Sequence, residues 1–233
     1  MVPHDVCTVG RVPFRIDRSA AILLAILVSV AVPTSAAARD APPPDSLRQS
    51  DLVEVTLRDS TLHADVRYAT TNNFMGRPMY SQARVFLQRP AAEALMRANR
   101  ALRRLGFGLL LFDGYRPWSV TKAFWDATPR AQRIYVANPR KGSKHNRGCA
   151  IDCSLYDLAT GREVPMPSPY DDFTNKAAAA YEGGTASERR TRGILRRAME
   201  EQGFAVNPDE WWHFDYKDWK SYPILDIPFE QLP

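Results

Sequence analysis

The decapeptide SKHNRGCAID, residues 143–152, constrains this chain more than any other stretch. The segment CAIDCSLYDL, which begins inside it, is short, apolar and bounded by a turn, as a buried strand is. A buried strand normally excludes a carboxylate, because an unpaired buried charge is costly. Asp152 therefore needs a partner, and His145 stands upstream across a glycine. A histidine and an aspartate so placed suit a metal centre, provided a third ligand, a base and a pocket come from elsewhere.

The remaining pattern supplies a scaffold. DLVEVTL (residues 51–57) alternates apolar and polar, LHADVRY looks similar, and FGLLLF (107–112) reads as a short buried strand. Pro90 opens a helix that Gly106 can close. WSVTKAFWDAT predicts a second helix, and Ser187 can cap a third that ends at Gly203. WWHFDY supplies a strand near the C-terminus, and residues 171–184 read as a long loop or short helix. This order predicts an α+β domain with a mostly antiparallel central sheet and helices packed against it.

Residues 1–38 differ from the rest. Arg11, Arg15 and Arg18 precede the apolar run AAILLAILVSVAV (20–32), and PTSAAARD follows it. A basic start, a short apolar run and an Ala-x-Ala end predict a secretory signal, with cleavage near Ala38 and no stable membrane span after processing. Residues 39–50 read as a proline-rich linker, leaving 51–233 as one catalytic domain. Export implies an oxidising compartment, periplasmic or extracellular. Only Cys149 and Cys153 would survive processing. On one strand they would stand roughly 13 Å apart, too far for a disulfide. Two free, buried thiols are expected, facing away from Asp152 because strand side chains alternate. The formal charge of +5 comes from basic residues mixed with acids. That is a solvated surface rather than a nucleic-acid interface, and no nucleic-acid motif accompanies it.

Chemistry concentrates in two motifs. EWWHF places Glu210 three residues before His213. On a regular strand those positions face opposite sides, so Glu210 is expected at the bend after NPD, with His213 inside the strand. His145, Asp152 and His213 together form a two-imidazole, one-carboxylate set. That set suits a single catalytic Zn²⁺ with a fourth position open to water. Glu210 is then the candidate base, and Trp211 and Trp212 could keep bulk water out. A structural zinc site would usually supply a fourth protein ligand.

SKHNRGCAID resembles the SxHxxGxAxD signature of the zinc D-alanyl-D-alanine dipeptidases, the VanX-type enzymes of peptidase family M15. EWWHF is similar to their ExxH signature, and DVRYATTNNFMG and DGYRP resemble further family segments in the expected order. The resemblance covers nearly all of the expected mature chain and implies a Hedgehog/DD-peptidase-like fold. It implies that His145, Asp152 and His213 hold the zinc and that Glu210 is the base. Arg116 would stabilise the tetrahedral intermediate. Asp171 would bind the substrate ammonium, with Asp172 an adjacent alternative, and Tyr68 and Ser143 would line the pocket. The implied substrate is the small dipeptide D-Ala-D-Ala, cleaved to two D-alanines. Family members tied to glycopeptide resistance lack a signal sequence, so an exported chain points to wall turnover or salvage. A zinc D,D- or L,D-carboxypeptidase or endopeptidase acting on peptidoglycan stem peptides is the alternative. A non-catalytic peptidoglycan-binding module is a further one, against which Glu210 argues.

Overall fold

The computed structural model describes residues 47–233. The expected signal segment and residues 39–46 of the expected linker lie outside the described residues. Residues 47–50 already lie against the domain: the Arg48 amide donates to the Ser221 carbonyl at 2.7 Å, and Ser50 Oγ accepts from Gln88 Nε2 at 3.0 Å. Packing therefore begins before residue 51, earlier than the linker reading placed it.

Seven strands and three helices make up the described domain: β1 (Leu52–Glu54), β2 (His63–Ala64), β3 (Phe86–Gln88), α1 (Arg89–Arg103), β4 (Phe107–Asp113), α2 (Trp118–Ala127), β5 (Ala150–Asp157), α3 (Ala186–Glu200), β6 (Phe204–Asn207) and β7 (Glu210–Tyr216). The main sheet has the order β2-β4-β5-β7-β6, and β1 pairs with β3 in a small second sheet. Every pairing is antiparallel except β2 with β4. The fold is thus α+β with a mostly antiparallel sheet. Helices α1 and α3 pack on each other, α1 also against β4 and α3 against β6. No helix among the described residues is long and apolar enough to cross a membrane.

Local chemistry explains most element ends. Pro90 sits in the first turn of α1, where its missing N–H costs nothing. Helix α3 is capped by Thr185 rather than Ser187: Thr185 Oγ1 accepts from the Glu188 amide, and the Glu188 carboxylate accepts from the Thr185 amide. That reciprocal box needs a glutamate at the third helical position, which Thr185 has and Ser187 lacks. The expected strand over LHADVRY pairs only at His63–Ala64; a 3₁₀ turn at Arg67–Ala69 then swings Tyr68 inward. DLVEVTL shortens to Leu52–Glu54.

Strand β5 crosses the middle of the sheet and separates two environments. Ile151, Cys153 and Leu155 point into the hydrophobic core, with Cys149 just ahead of them. Both cysteines are free and buried, as their spacing predicted. Burial pushes the Cys149 thiol up to about 12 and Cys153 well above the ordinary thiol value. Asp152 points the other way.

Candidate metal centre

Strand register builds the centre. Asp152 pairs with Asp113 on β4 and with His213 on β7, so three ionisable side chains form one row across three strands. Two irregularities flank that row. One lies between Leu111 and Asp113; the other, between β6 and β7, sets Val206 opposite Phe214 but Asn207 opposite Glu210. Bulges re-aim side chains. The second lets Glu210 and His213, three apart, approach on one side: Glu210 Oε2 lies 3.8 Å from His213 Nδ1. Glu210 thus opens the strand directly after the turn at Pro208 and Asp209, where the sequence required it.

His145 arrives from a loop. It begins a 3₁₀ turn, His145–Arg147, closed by Gly148 at φ +65°. The positive φ calls for glycine, and a Cβ there would also have to push aside Leu52 Cδ2, 2.4 Å away. Asn146 anchors the turn from within. Its Nδ2 donates to the Arg116 carbonyl and to Thr121 Oγ1, each at 2.8 Å, and its Oδ1 accepts from the Ser143 amide at 2.7 Å. The Ser143 hydroxyl accepts from the His145 amide at 3.1 Å, so Ser143 shapes this turn as well as lining the cavity.

Three donor atoms converge. His145 Nε2 and His213 Nδ1 stand 3.1 Å apart, and Asp152 Oδ1 lies 3.4 Å from the first and 3.0 Å from the second. Donors about 2.0–2.1 Å from a tetrahedral zinc ion stand about 3.3 Å from one another. The spacing therefore fits. So do the outer ring nitrogens, each of which has its own acceptor: His145 Nδ1 meets the Gly114 carbonyl at 2.7 Å and His213 Nε2 meets Asp215 Oδ1 at 2.8 Å. In the neutral rings the proton belongs on those outer nitrogens, and both inner lone pairs face the centre.

Electrostatics agree. Burial disfavours the Asp152 carboxylate, but the charge and hydrogen bonds of the two histidines hold it well below the usual carboxylate range. Burial also disfavours a charged His213, yet hydrogen bonds to Asp152 and Asp215 outweigh it and carry the imidazole up to about 10. The cluster is built to hold positive charge, whether a proton or a cation.

Around it lies a cavity of about 380 Å³ reached by Arg116, Asp171, Glu210 and Trp212. Burial, with Asp152 adding to it, raises the Glu210 carboxyl above its ordinary value; Asn207 Nδ2 donates to Glu210 Oε2 at 2.7 Å. Arg116 donates through Nε and Nη2 to Asp113 Oδ2 at 2.9 and 2.7 Å, and its Nη2 lies 3.8 Å from Asp152 Oδ2. Its guanidinium sits over the rings of Phe124 and Tyr68. Asp171 lines the cavity; Asp172 does not. Among the described residues Asp171 is the non-glycine residue at positive φ, +58°, a conformation aspartate tolerates better than most. Tyr68 donates its hydroxyl to Asp171 at 3.0 Å, and burial plus the charge of Asp152 push the Asp171 carboxyl up to about 8. Trp212 reaches the cavity, whereas Trp211 is anchored through Nε1 to Ser168 Oγ.

Sequence reading missed four partners. Tyr170 donates to Asp152 Oδ2 at 3.1 Å; Asp113, Asn207 and Asp215 hold Arg116, Glu210 and His213 respectively. Asp113 and Asp215 lay inside DGYRPW and WWHFDY, and two acids within such apolar surroundings were the available signal.

The chain is similar to known proteins over most of its length. The family model for the D-ala-D-ala dipeptidase, Peptidase_M15, matches residues 48–229. A D-alanyl-D-alanine dipeptidase of Enterococcus faecium is 35% identical over 196 residues, spanning 74% of this chain and 96% of the relative. One of Escherichia coli is 32% identical over 180 residues, spanning 77% and 92%. One of Enterococcus faecalis is 36% identical over 192 residues, spanning 73% and 91%. With a matched model over most of its length and relatives aligned nearly end to end, this chain belongs to the D-Ala-D-Ala dipeptidase family, Peptidase_M15.

Proposed function

We propose that this chain hydrolyses the free dipeptide D-Ala-D-Ala to two D-alanines, using one zinc ion held by His145, Asp152 and His213. The observation that carries the reading is the convergence of those three donors at zinc spacing, with a glutamate 3.8 Å from one of them. When bound, zinc would polarise the scissile carbonyl and make a water molecule easier to deprotonate.

The side chains divide the remaining work. Glu210, with its raised pKa, is suited to take the water's proton and return it to the leaving amine. Arg116 cannot swing freely, because Asp113 holds two of its nitrogens. A fixed guanidinium favours the negative oxygen of the tetrahedral intermediate over the neutral carbonyl. Asp171, oriented by Tyr68, offers the substrate ammonium a carboxylate; binding that cation would pull its proton off. Ser143 lies beside the same cavity and is assigned to the substrate pocket. A stem peptide would bring a neutral amide where Asp171 expects an ammonium. The unpaired buried group would then penalise the longer substrate.

Residues 1–38 support the cell envelope as the place of action. There the enzyme would meet dipeptide released from wall peptides, rather than the cytoplasmic precursor pool. Rates on D-Ala-D-Ala, L-Ala-L-Ala and a stem pentapeptide, each with and without chelator, test the reading. Chelator-sensitive cleavage confined to the free D,D-dipeptide is expected. Faster cleavage of the pentapeptide would transfer the assignment to a carboxypeptidase.

A further inference from the structure

His145 and His213 are held from behind in different ways. The outer nitrogen of His145 meets a backbone carbonyl, Gly114, which no side-chain change removes. The outer nitrogen of His213 meets a side chain, Asp215 Oδ1, at 2.8 Å. Asp215 lies two residues beyond His213 on β7, paired with Ala150 on β5 and Ala205 on β6. Its backbone is thus fixed from both sides. Its second oxygen, Oδ2, lies 3.1 Å from Lys144 Nζ. Lys144 immediately precedes His145, and its ammonium also sits 5.5 Å over the Trp219 ring.

We propose that Asp215, clamped by Lys144, is a positioning residue that sets the affinity of the centre for its cation. The inference rests on the metal site proposed above and adds to it a group outside the three ligands. Its physical basis is the tautomer. A neutral imidazole carries one proton, and with that proton on Nδ1 His213 would aim an N–H at the centre and could not donate to a cation. A carboxylate behind Nε2 claims the proton, leaves the Nδ1 lone pair facing inward and makes that nitrogen a better donor. Lys144 fixes the orientation of the carboxylate by occupying its other oxygen. The same ion pair ties the loop carrying His145 to the strand carrying His213, so the two nitrogens keep their separation when no cation is present.

The test is zinc affinity, measured by chelator competition on the purified protein, alongside melting temperature with and without zinc. Asp215→Ala is expected to raise the zinc dissociation constant by about 10- to 100-fold. Asp215→Asn keeps an acceptor for Nε2–H but loses the charge, and should recover part of that loss. Lys144→Met should fall between wild type and Asp215→Ala. The melting-temperature gain on adding zinc should shrink in the same order. The proposal is overturned if Asp215→Ala binds zinc within twofold of wild type. It is equally overturned if Asp215→Ala lowers the zinc-free melting temperature while the gain on zinc addition is unchanged, since Asp215 would then serve only the fold. A wild-type protein that binds no zinc would remove the metal site itself, an outcome separable from both.

Discussion

The two faces of β5 are built from alternate residues of one strand and obey opposite rules. On one face Ile151, Cys153 and Leu155 are fully buried among α1, α3 and the neighbouring strands, without polar partners. On the other Asp152 is equally buried but surrounded by His145, His213, Tyr170 and Arg116. The apolar face is a non-directional contact that tolerates small changes of shape. The polar face depends on atoms meeting at fixed distances, and any unmatched charge there is costly. The first makes the second possible. A one-residue slip of β5 would put Asp152 in the core and Ile151 or Cys153 at the centre, so burial of the apolar face sets the register that brings Asp152 opposite His213.

Substitutions on the two sides should therefore separate turnover from stability. The largest effect is expected for Glu210→Gln, which keeps the shape and removes the proposed base. Turnover should drop by about 10²- to 10⁴-fold with zinc content and melting temperature near wild type. Loss of zinc in this variant would mean that Glu210 supports the centre rather than the proton transfer. Next comes Arg116→Lys, which keeps charge but loses the planar fork held by Asp113. A drop in kcat of about 10²-fold, larger than any rise in KM, is expected from steady-state kinetics. An effect confined to KM would place Arg116 in ground-state binding. The smallest should be Ile151→Val on the apolar face, costing about 1 kcal/mol in urea denaturation and leaving kcat and zinc affinity unchanged. A change in zinc affinity there would show that the two faces are not independent.

The same contrast decides what the sequence could reveal. Asp152 and His213 were legible because they interrupt apolar strands, and His145 and Glu210 because they stand at fixed spacing from them in SKHNRGCAID and EWWHF; the fold gathers His145, Asp152 and His213. The pair Glu210 and His213 was legible even as a difficulty: spacing alone put them on opposite sides, and the shifted register between β6 and β7 resolves it. Helix α3 is visible in the sequence, but its cap is Thr185 rather than Ser187, because only Thr185 has a glutamate at the third helical position. Strand β6, four residues long and only partly buried, gave too short a pattern to stand out from a loop. Asn146, Asn207 and Tyr170 were hidden for a different reason. Each acts through one hydrogen bond or a few, set by the folded backbone and in part to residues distant in the chain, and composition carries no trace of such a meeting. Asp171 could be separated from Asp172 only by seeing which of two neighbouring acids the turn aims inward.

The central claim is that three side chains distant in sequence share one divalent ion. Zinc bound per folded chain, in wild type and in Asp152→Ala, measures it directly. One equivalent in the wild type, lost in the variant while its circular dichroism spectrum stays native, is the predicted result. Stoichiometric zinc retained by a folded Asp152→Ala chain would contradict it.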